Sequence, residues 1–290
     1  MNVLIRLSRH RSARVGGACL IVIFLMAAFA PILAPEGYDN QNLALRLQAP
    51  SRETPLGTDE LGRQLSSRII WGAQISLQIA FMATGIGLVI GSALGLIGGF
   101  YGGYVDRAIM GLMDVLLAFP GILLALAVVA VLGPGLYNVM IAVGISGIPR
   151  FARLVRGSTL SVREKEFIEA QRAAGASDAR ILILHVLPNI MGPIIVVATL
   201  RVGVSIMQAA GVSFLGLGAQ PPLPDWGGMI SQGRHLLRVS WWVGVFPGVA
   251  VLITVFGFNL MGDGLRDALD PKIRIAKKGM EAKAKSATAS

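Results

Sequence analysis

The residue types that catalyse reactions or bind metals are few in this chain and lie far apart. Its three histidines, His10, His185 and His235, fall in different segments, and no H-E-x-x-H pattern is present. No G-x-x-x-x-G-K-[S/T] phosphate loop occurs, and the single cysteine, Cys19, cannot form an internal disulfide. We therefore predict no catalytic residue, no metal site and no ATP site in this chain, which disfavours an enzyme.

Two polar residues stand out because they interrupt an otherwise apolar stretch. Arg201 and Gln208 lie within the run 190–217. A charged side chain inside a membrane span is costly and usually faces the bundle interior or water. We predict that Arg201, together with Gln208, lines a transport pathway. Two other roles for Arg201 stay open, namely snorkelling to an interface and pairing with a partner subunit.

Composition places the chain among membrane proteins. Only 14% of its 290 residues are charged and 54% are hydrophobic, whereas soluble domains carry about 25% charged residues. Its 36 glycines fit a polytopic protein, where small residues let helices approach closely. The net charge of +10 does not indicate nucleic-acid binding, because long apolar runs separate the basic residues. We predict an all-α polytopic protein that contacts membrane lipid and binds no nucleic acid.

Six apolar runs provide the membrane spans, each needing about 20 apolar residues. They are predicted at 15–34, at 69–100, at 108–132, from 139 into the basic segment at 150, at 190–217 and at 241–261. The chain then divides into an amino-terminal segment 1–14, a first helix 15–35, an external segment 36–68, a core 69–265 and a basic, solvated tail 266–290. The first run could instead be a signal peptide, but it exceeds the usual apolar length of 7–15 residues, which favours a retained helix.

Three local signals position these spans. Glycines recur every fourth residue in the second span and predict a flat face for helix packing, at Gly87, Gly91 and Gly95. Pro120 predicts a kink in the third span. Trp241 and Trp242 are predicted to anchor the sixth span at the membrane interface.

The segment 150–189 is charged and helix-prone, unlike the runs on either side of it. Gly175 is predicted to end a first helix in a left-handed conformation, and Ser177 to cap a second, short helix. Pro188 is predicted to end that second helix, because the residue before proline avoids the helical region. The alternative is an ordinary solvated loop helix without a partner.

The residues of this segment resemble the EAA loop of ABC-importer permeases. The resemblance rests on Glu169-Ala170-Gln171, on Gly175 and on Leu187-Pro188. It extends from about Leu56 to Pro271 and includes, in order, LGTDELGR, GGYVDR, SFLGLG, PPLPDWG and NLMGDGLRDALDP. This set is similar to the C-type permease subunit of dipeptide and oligopeptide (and nickel) importers.

The resemblance implies a type I ABC-importer transmembrane fold with six helices in a multi-pass protein of the bacterial inner membrane. It implies no cofactor in this chain, since ATP and Mg would be bound by two ABC ATPase subunits. A second permease subunit and a periplasmic substrate-binding protein would complete the complex. The ATPase-coupling residues would be Glu169, Ala170, Ala173, Gly175, Leu187 and Pro188.

The distribution of basic residues predicts the orientation. With the amino terminus inside, 19 Lys and Arg residues are cytoplasmic and 6 are external. This asymmetry agrees with the positive-inside rule and places both termini and the segment 150–189 in the cytoplasm.

The expected function is therefore a permease that forms half of the pathway for dipeptides or oligopeptides. Nickel, glutathione or another small solute stays open as the substrate. An ion-coupled carrier acting alone is the alternative from another class, although no clear internal repeat supports it.

Overall fold

The computed structural model describes residues 10–269, and no β-strand occurs among them. Five helices are long and apolar enough to cross a membrane, and a sixth crossing results if one bent helix pair counts as a single span. The predicted all-α polytopic class is therefore confirmed. Residues 1–9 and 270–290, including nearly all of the predicted basic tail, lie outside the described residues.

The helices are numbered here in chain order, leaving short 3-10 turns unnumbered. They are α1 Arg11–Ala28, α2 Ala30–Leu33, α3 Leu65–Tyr101, α4 Gly103–Leu117, α5 Gly121–Leu132, α6 Leu136–Arg163, α7 Glu166–Ala173, α8 Asp178–Arg180, α9 Leu187–Phe214, α10 Trp226–Gly233 and α11 Trp242–Leu269. A π-helical turn, Ile181–Val186, joins α8 to α9, so Asp178–Phe214 is one helical stretch of 37 residues.

The centre of the bundle is the contact between α3 and α6, and glycines set their separation. A Cβ built on Gly91 would lie 2.6 Å from the Ile148 carbonyl oxygen and 2.7 Å from the Phe151 Cβ. Gly87 lies against the backbone of α6 near Gly144, and Gly95 lies near Val155. The predicted glycine face is confirmed, and it lets the two backbones touch.

Replacing Gly91 with leucine should separate α3 from α6, because the obstructing Ile148 carbonyl belongs to a rigid helix. Overpacking of this kind costs about 1–3 kcal/mol or more. We expect a lower yield of monodisperse protein from membranes and a lower midpoint of thermal unfolding in detergent. Gly85→Leu is the matched control, because no atom lies within 4 Å of a Cβ built there. Equal losses in both variants would contradict the packing role of Gly91.

Helix α1 is packed into the bundle against α11. A Cβ on Gly16 would lie 2.7 Å from the Leu260 Cβ. Leu20 and Ile23 are buried in the same apolar cluster as Phe258. This close packing favours a retained helix over a cleaved signal peptide.

The third span is broken rather than merely kinked. Helices α4 and α5 meet at an angle of 92° across residues 118–120. Pro120 precedes α5 in an extended conformation that no helix interior allows. The predicted kink at Pro120 is therefore confirmed, and the bend is larger than a kink requires.

A folded layer over the amino-terminal end of α3 is held by a buried ion cluster. The Asp59 carboxylate accepts hydrogen bonds from Arg63 Nε and from an Arg68 terminal nitrogen, both at 2.7 Å. The same carboxylate accepts from the backbone N–H groups of Leu61 and Arg63. All three charged side chains are buried. Helix α3 begins at Leu65, before the predicted start at 69, because this cluster fixes the entering chain.

Trp242 contributes to the same layer, contrary to the prediction of an interfacial anchor. Its indole nitrogen donates to the Thr58 carbonyl at 3.2 Å, and its side chain is buried. Trp241 is exposed, as an anchor would be. The sequence between the fifth and sixth spans also forms α10, whose Trp226 is fully buried and donates to the Ile69 carbonyl.

Candidate coupling segment and interior cavity

Helix α7 is attached to the bundle by a single buried side chain. Ile168 has no exposed surface and packs in a cluster with Phe100, Val186 and Ile190. No other α7 residue is buried. The predicted coupling residues Glu169, Ala170 and Ala173 are exposed on this helix, and the predicted Gly175 is exposed in the turn that follows. The helix therefore presents a short face of small side chains that nothing in residues 10–269 covers.

The turn after α7 follows the sequence prediction at one residue and departs from it at others. Gly175 has φ +80°, so its left-handed conformation is confirmed. Ser177 occupies the cap position of α8, but its side chain makes no capping hydrogen bond. Residues 150–163, predicted within the loop segment, are instead the end of α6.

The prediction that Pro188 ends the second helix is wrong. Pro188 lies in the first turn of α9, and the chain stays helical from Asp178 to Phe214. Proline lacks an N–H group, but the first turn of a helix leaves that donor unused. The wide π turn Ile181–Val186 directly before it accommodates the change in hydrogen bonding. Leu187 is half-buried and Pro188 is exposed beside it.

Two arginines of α6 fasten the neighbourhood of α7 to the preceding helices. Arg163 donates to the Gly99 and Phe100 carbonyls at 3.1 and 3.0 Å, satisfying acceptors at the end of α3. Arg156 forms a two-point ion pair with Asp106 in the first turn of α4. Such bidentate pairs fix orientation as well as distance. The end of α6 that leads into α7 is thereby fixed to α3 and α4.

A cavity of about 310 Å³ lies where the α4–α5 break faces α6 and α9, and it is open at the exposed residues 118–120 and Arg150. Its polar lining residues are Ser146, Arg150, Arg201 and Gln208. An Arg201 terminal nitrogen donates to Gln208 Oε1 at 3.1 Å and to Ser146 Oγ at 3.4 Å. The structure thus brings together the two predicted pathway residues, Arg201 and Gln208, on one wall of a cavity.

Small residues make room for this polar group. Gly147 lies under the Arg201 side chain, with a built Cβ 3.4 Å from its Nε. A Cβ on Gly121 would come within 2.7 Å of the Gln208 amide nitrogen. A side chain at position 121 would therefore displace the Gln208 amide, whereas a Cβ at position 147 would only touch the Arg201 guanidinium.

Sequence reasoning missed Ser146 and Arg150 as cavity residues and Ile168 as the anchor of α7. Ser146 and Arg150 are one helical turn apart on α6, a spacing that could have been noticed once the helix was extended past 150. Asp114 of α4 pairs with Arg153 of α6 at 2.6 Å, and both side chains are exposed. Among residues 10–269, no group of three His, Cys, Asp or Glu side chains could hold a metal ion.

Two family models match the chain. The model described as binding-protein-dependent transport system inner membrane component matches residues 87–275. The model described as the N-terminal TM domain of oligopeptide transport permease C matches residues 2–50. Together they cover the coupling segment, the cavity and α1.

Curated proteins similar to the chain include permeases named for dipeptide transport and for glutathione transport. A dipeptide transport system permease protein of Alkalihalophilus pseudofirmus is 48% identical, covering 93% of this chain and 88% of that protein. A glutathione transport system permease protein of Escherichia coli is 50% identical, covering 93% and 89%. The corresponding protein of Pectobacterium atrosepticum is 47% identical, covering 93% and 90%.

Solved structures share the fold at low sequence identity. An inward-facing MetNI methionine ABC transporter aligns with TM-score 0.56 and 21% identity, covering 70% of this chain and 96% of that one. An amino acid ABC transporter with histidines aligns with TM-score 0.53 and 15% identity, covering 69% and 92%.

Proposed function

The chain belongs to the family of binding-protein-dependent transport system inner membrane components and is an ABC-importer permease, and from this premise we propose that it forms half of the pathway for dipeptides or oligopeptides. The dipeptide permease at 48% identity supports this substrate class. Family membership disfavours the alternative of an ion-coupled carrier acting alone.

Glutathione is a second candidate substrate, favoured by the permeases at 47% and 50% identity. Glutathione is itself a small peptide, so both candidates share amide and carboxylate groups. ATP-driven uptake by the reconstituted importer, measured separately with labelled dialanine and with labelled glutathione, distinguishes the two. Uptake of glutathione without uptake of dialanine would favour the second candidate.

We infer a complex of this chain with a second permease, two ABC ATPase subunits and a periplasmic substrate-binding protein. ATP and Mg would be bound by the ATPases, and no cofactor is assigned to this chain. The charge asymmetry of 19 to 6 supports cytoplasmic termini and a cytoplasmic α7. In this orientation α7 faces the compartment that holds ATP.

The observation that carries the coupling proposal is the combination of an exposed α7 and its buried anchor. Glu169, Ala170 and Ala173 are open to a partner, while Ile168 ties the same helix to an apolar cluster that includes the π turn and the start of α9. Closure of the ATPases would move α7 as a rigid body, and α9 with it. That movement would change the side of the membrane to which the cavity opens. Arg201 and Gln208 would line the pathway.

Glu169→Lys tests this proposal, because it reverses an exposed charge on the face offered to the ATPase. We expect normal membrane insertion and a fall of about tenfold or more in ATP-driven uptake by the reconstituted complex. Uptake of labelled dialanine and the amount of co-purified ATPase are the measurements.

Glu53→Lys is the matched control, since Glu53 is an exposed carboxylate in the external segment. It should leave uptake unchanged. Uptake in Glu169→Lys equal to that of the unmodified complex would contradict the coupling role.

A further inference from the structure

Among residues 10–269, the cavity at the α4–α5 break is lined by two cations and by no anion. Arg201 and Arg150 both reach it, and neither forms an ion pair with a carboxylate among residues 10–269. Arg201 is 4% exposed and stands in a membrane-spanning helix. A buried cation without a counter-charge is costly in such a setting. The arrangement is therefore incomplete without a negative group.

The guanidinium of Arg201 also has N–H donors that are not used in hydrogen bonds within the described residues. Both of its hydrogen bonds come from the same terminal nitrogen, and they go to the neutral acceptors Ser146 and Gln208. The other two guanidinium nitrogens make no hydrogen bond within the described residues. A guanidinium presents its N–H groups in a planar fork that matches the two oxygens of a carboxylate.

The α4–α5 break adds a third feature that favours negative charge. Helix α5 begins at Gly121, and its first residues Gly121 and Leu124 line the cavity. The first N–H groups of a helix have no partner within the helix and carry the positive end of its dipole. Non-helical backbone at membrane depth is tolerated where it lines a water-filled cavity. Residues 118–120 are such backbone.

We infer that this cavity is a binding subsite for a carboxylate of the transported solute, held by Arg201 with Gln208 and Ser146 as fixed neighbours. The volume of about 310 Å³ is at the lower end of the range for small-molecule sites. This inference rests on the proposed function, because dipeptides and glutathione both carry free carboxylates. A carboxylate from the second permease has the same chemistry and is the outcome that the test must separate.

The test measures which charge the cavity admits, in the complete importer in lipid nanodiscs. Ala118 is exposed at the cavity wall, so Ala118→Cys in a Cys19→Ala background provides a reporter thiol. The thiol is treated with an anionic sulfonatoethyl or a cationic trimethylammonium-ethyl methanethiosulfonate. Labelling of this chain is followed by mass spectrometry. Each labelling rate is divided by the rate at which the same reagent reacts with 2-mercaptoethanol in the same buffer, which corrects for the different intrinsic reactivities of the two reagents.

We expect the anionic reagent to react about tenfold faster or more, because a cleft lined by one sign of charge concentrates the opposite one. Arg201→Gln should lower that preference to about threefold or less. Arg201→Lys should retain part of the preference, since it keeps the charge but loses the fork. Arg234→Gln, a change in the external 3-10 turn, is the matched control and should retain all of it.

Protection by peptides identifies the ligand group. Dialanine should slow labelling by the anionic reagent, and dialanine amide, which lacks the carboxylate, should not. This protection should disappear in both Arg201 variants, whose subunit composition is checked by co-purification.

Three results would overturn the inference. Equal rates for the two reagents would indicate that a partner carboxylate already neutralises Arg201. Equal protection by dialanine and dialanine amide would show that the carboxylate does not contribute to binding. A thiol that reacts with neither reagent would show that the cavity is closed. None of these measurements needs uptake. Failure of the proposed function would appear separately, as absence of ATP-driven peptide uptake by the unmodified complex.

Discussion

Replacing Ile168 with alanine is expected to uncouple ATP hydrolysis from uptake. Ile168 is the one buried residue of α7, and truncating a buried isoleucine costs about 2–5 kcal/mol. Because Ile168 attaches α7 to a cluster shared by α3, α6, the π turn and α9, the loss should fall on docking of the helix rather than on the bundle. We expect uptake of labelled dialanine to fall by about tenfold or more while ATP hydrolysis continues.

Ile183→Ala provides the control for this experiment. Ile183 lies in the π turn of the same segment and is 62% exposed, so the same truncation removes little buried area. It should leave both rates near those of the unmodified complex. A parallel fall of uptake and hydrolysis in Ile168→Ala, with loss of the ATPase from the complex, would contradict the anchoring role.

The second large effect is expected in the folded layer over the amino-terminal end of α3, from Asp59→Asn. The Asp59 carboxylate accepts from both Arg63 and Arg68, which are buried beside it. The asparagine amide has one oxygen instead of two, and its NH₂ group would face guanidinium donors. Removing one partner of a buried ion cluster costs about 3–5 kcal/mol.

Hydrogen exchange in nanodiscs measures this loss where it occurs. The backbone N–H groups of Leu61 and Arg63, which donate to Asp59, should exchange about two orders of magnitude faster or more. Glu60→Gln makes the same chemical change on an exposed neighbour and should leave exchange unaltered. Unchanged exchange in Asp59→Asn would show that the folded layer over α3 does not depend on this cluster.

Features set by local sequence could be predicted well. The glycines of α3 repeat on one helix face, and each glycine meets the backbone of α6 as that repeat requires. Gly175 has the positive φ expected of a helix-ending glycine. Pro120 breaks the third span because its ring prevents helical hydrogen bonding. In each case the cause lies within a few residues of its effect.

Features that depend on distant residues could not be predicted. Pro188 can lie in the first turn of α9 because a π turn precedes it, and no local sequence pattern predicts that turn. Trp242 is buried because Thr58, far away in sequence, supplies an acceptor for its indole. The sequence pattern indicates that Arg150 belongs to a basic loop. In the structure α6 continues beyond Arg150 and places it at the cavity. Tertiary contacts decide all of these positions.

If the continuous helical stretch from Asp178 to Phe214 moves as a rigid body, a small tilt at one end produces a larger displacement further along it. At 1.5 Å per residue, Arg201 stands about 35 Å along it from the end next to α7. A tilt of about 5° over that length displaces the guanidinium by about 3 Å, by the same helical rise. That displacement is comparable to the 3.4 Å reach from Arg201 to Ser146 on α6. A tilt of a few degrees at the α7 end is thus large enough to form or break the hydrogen bond between Arg201 and Ser146.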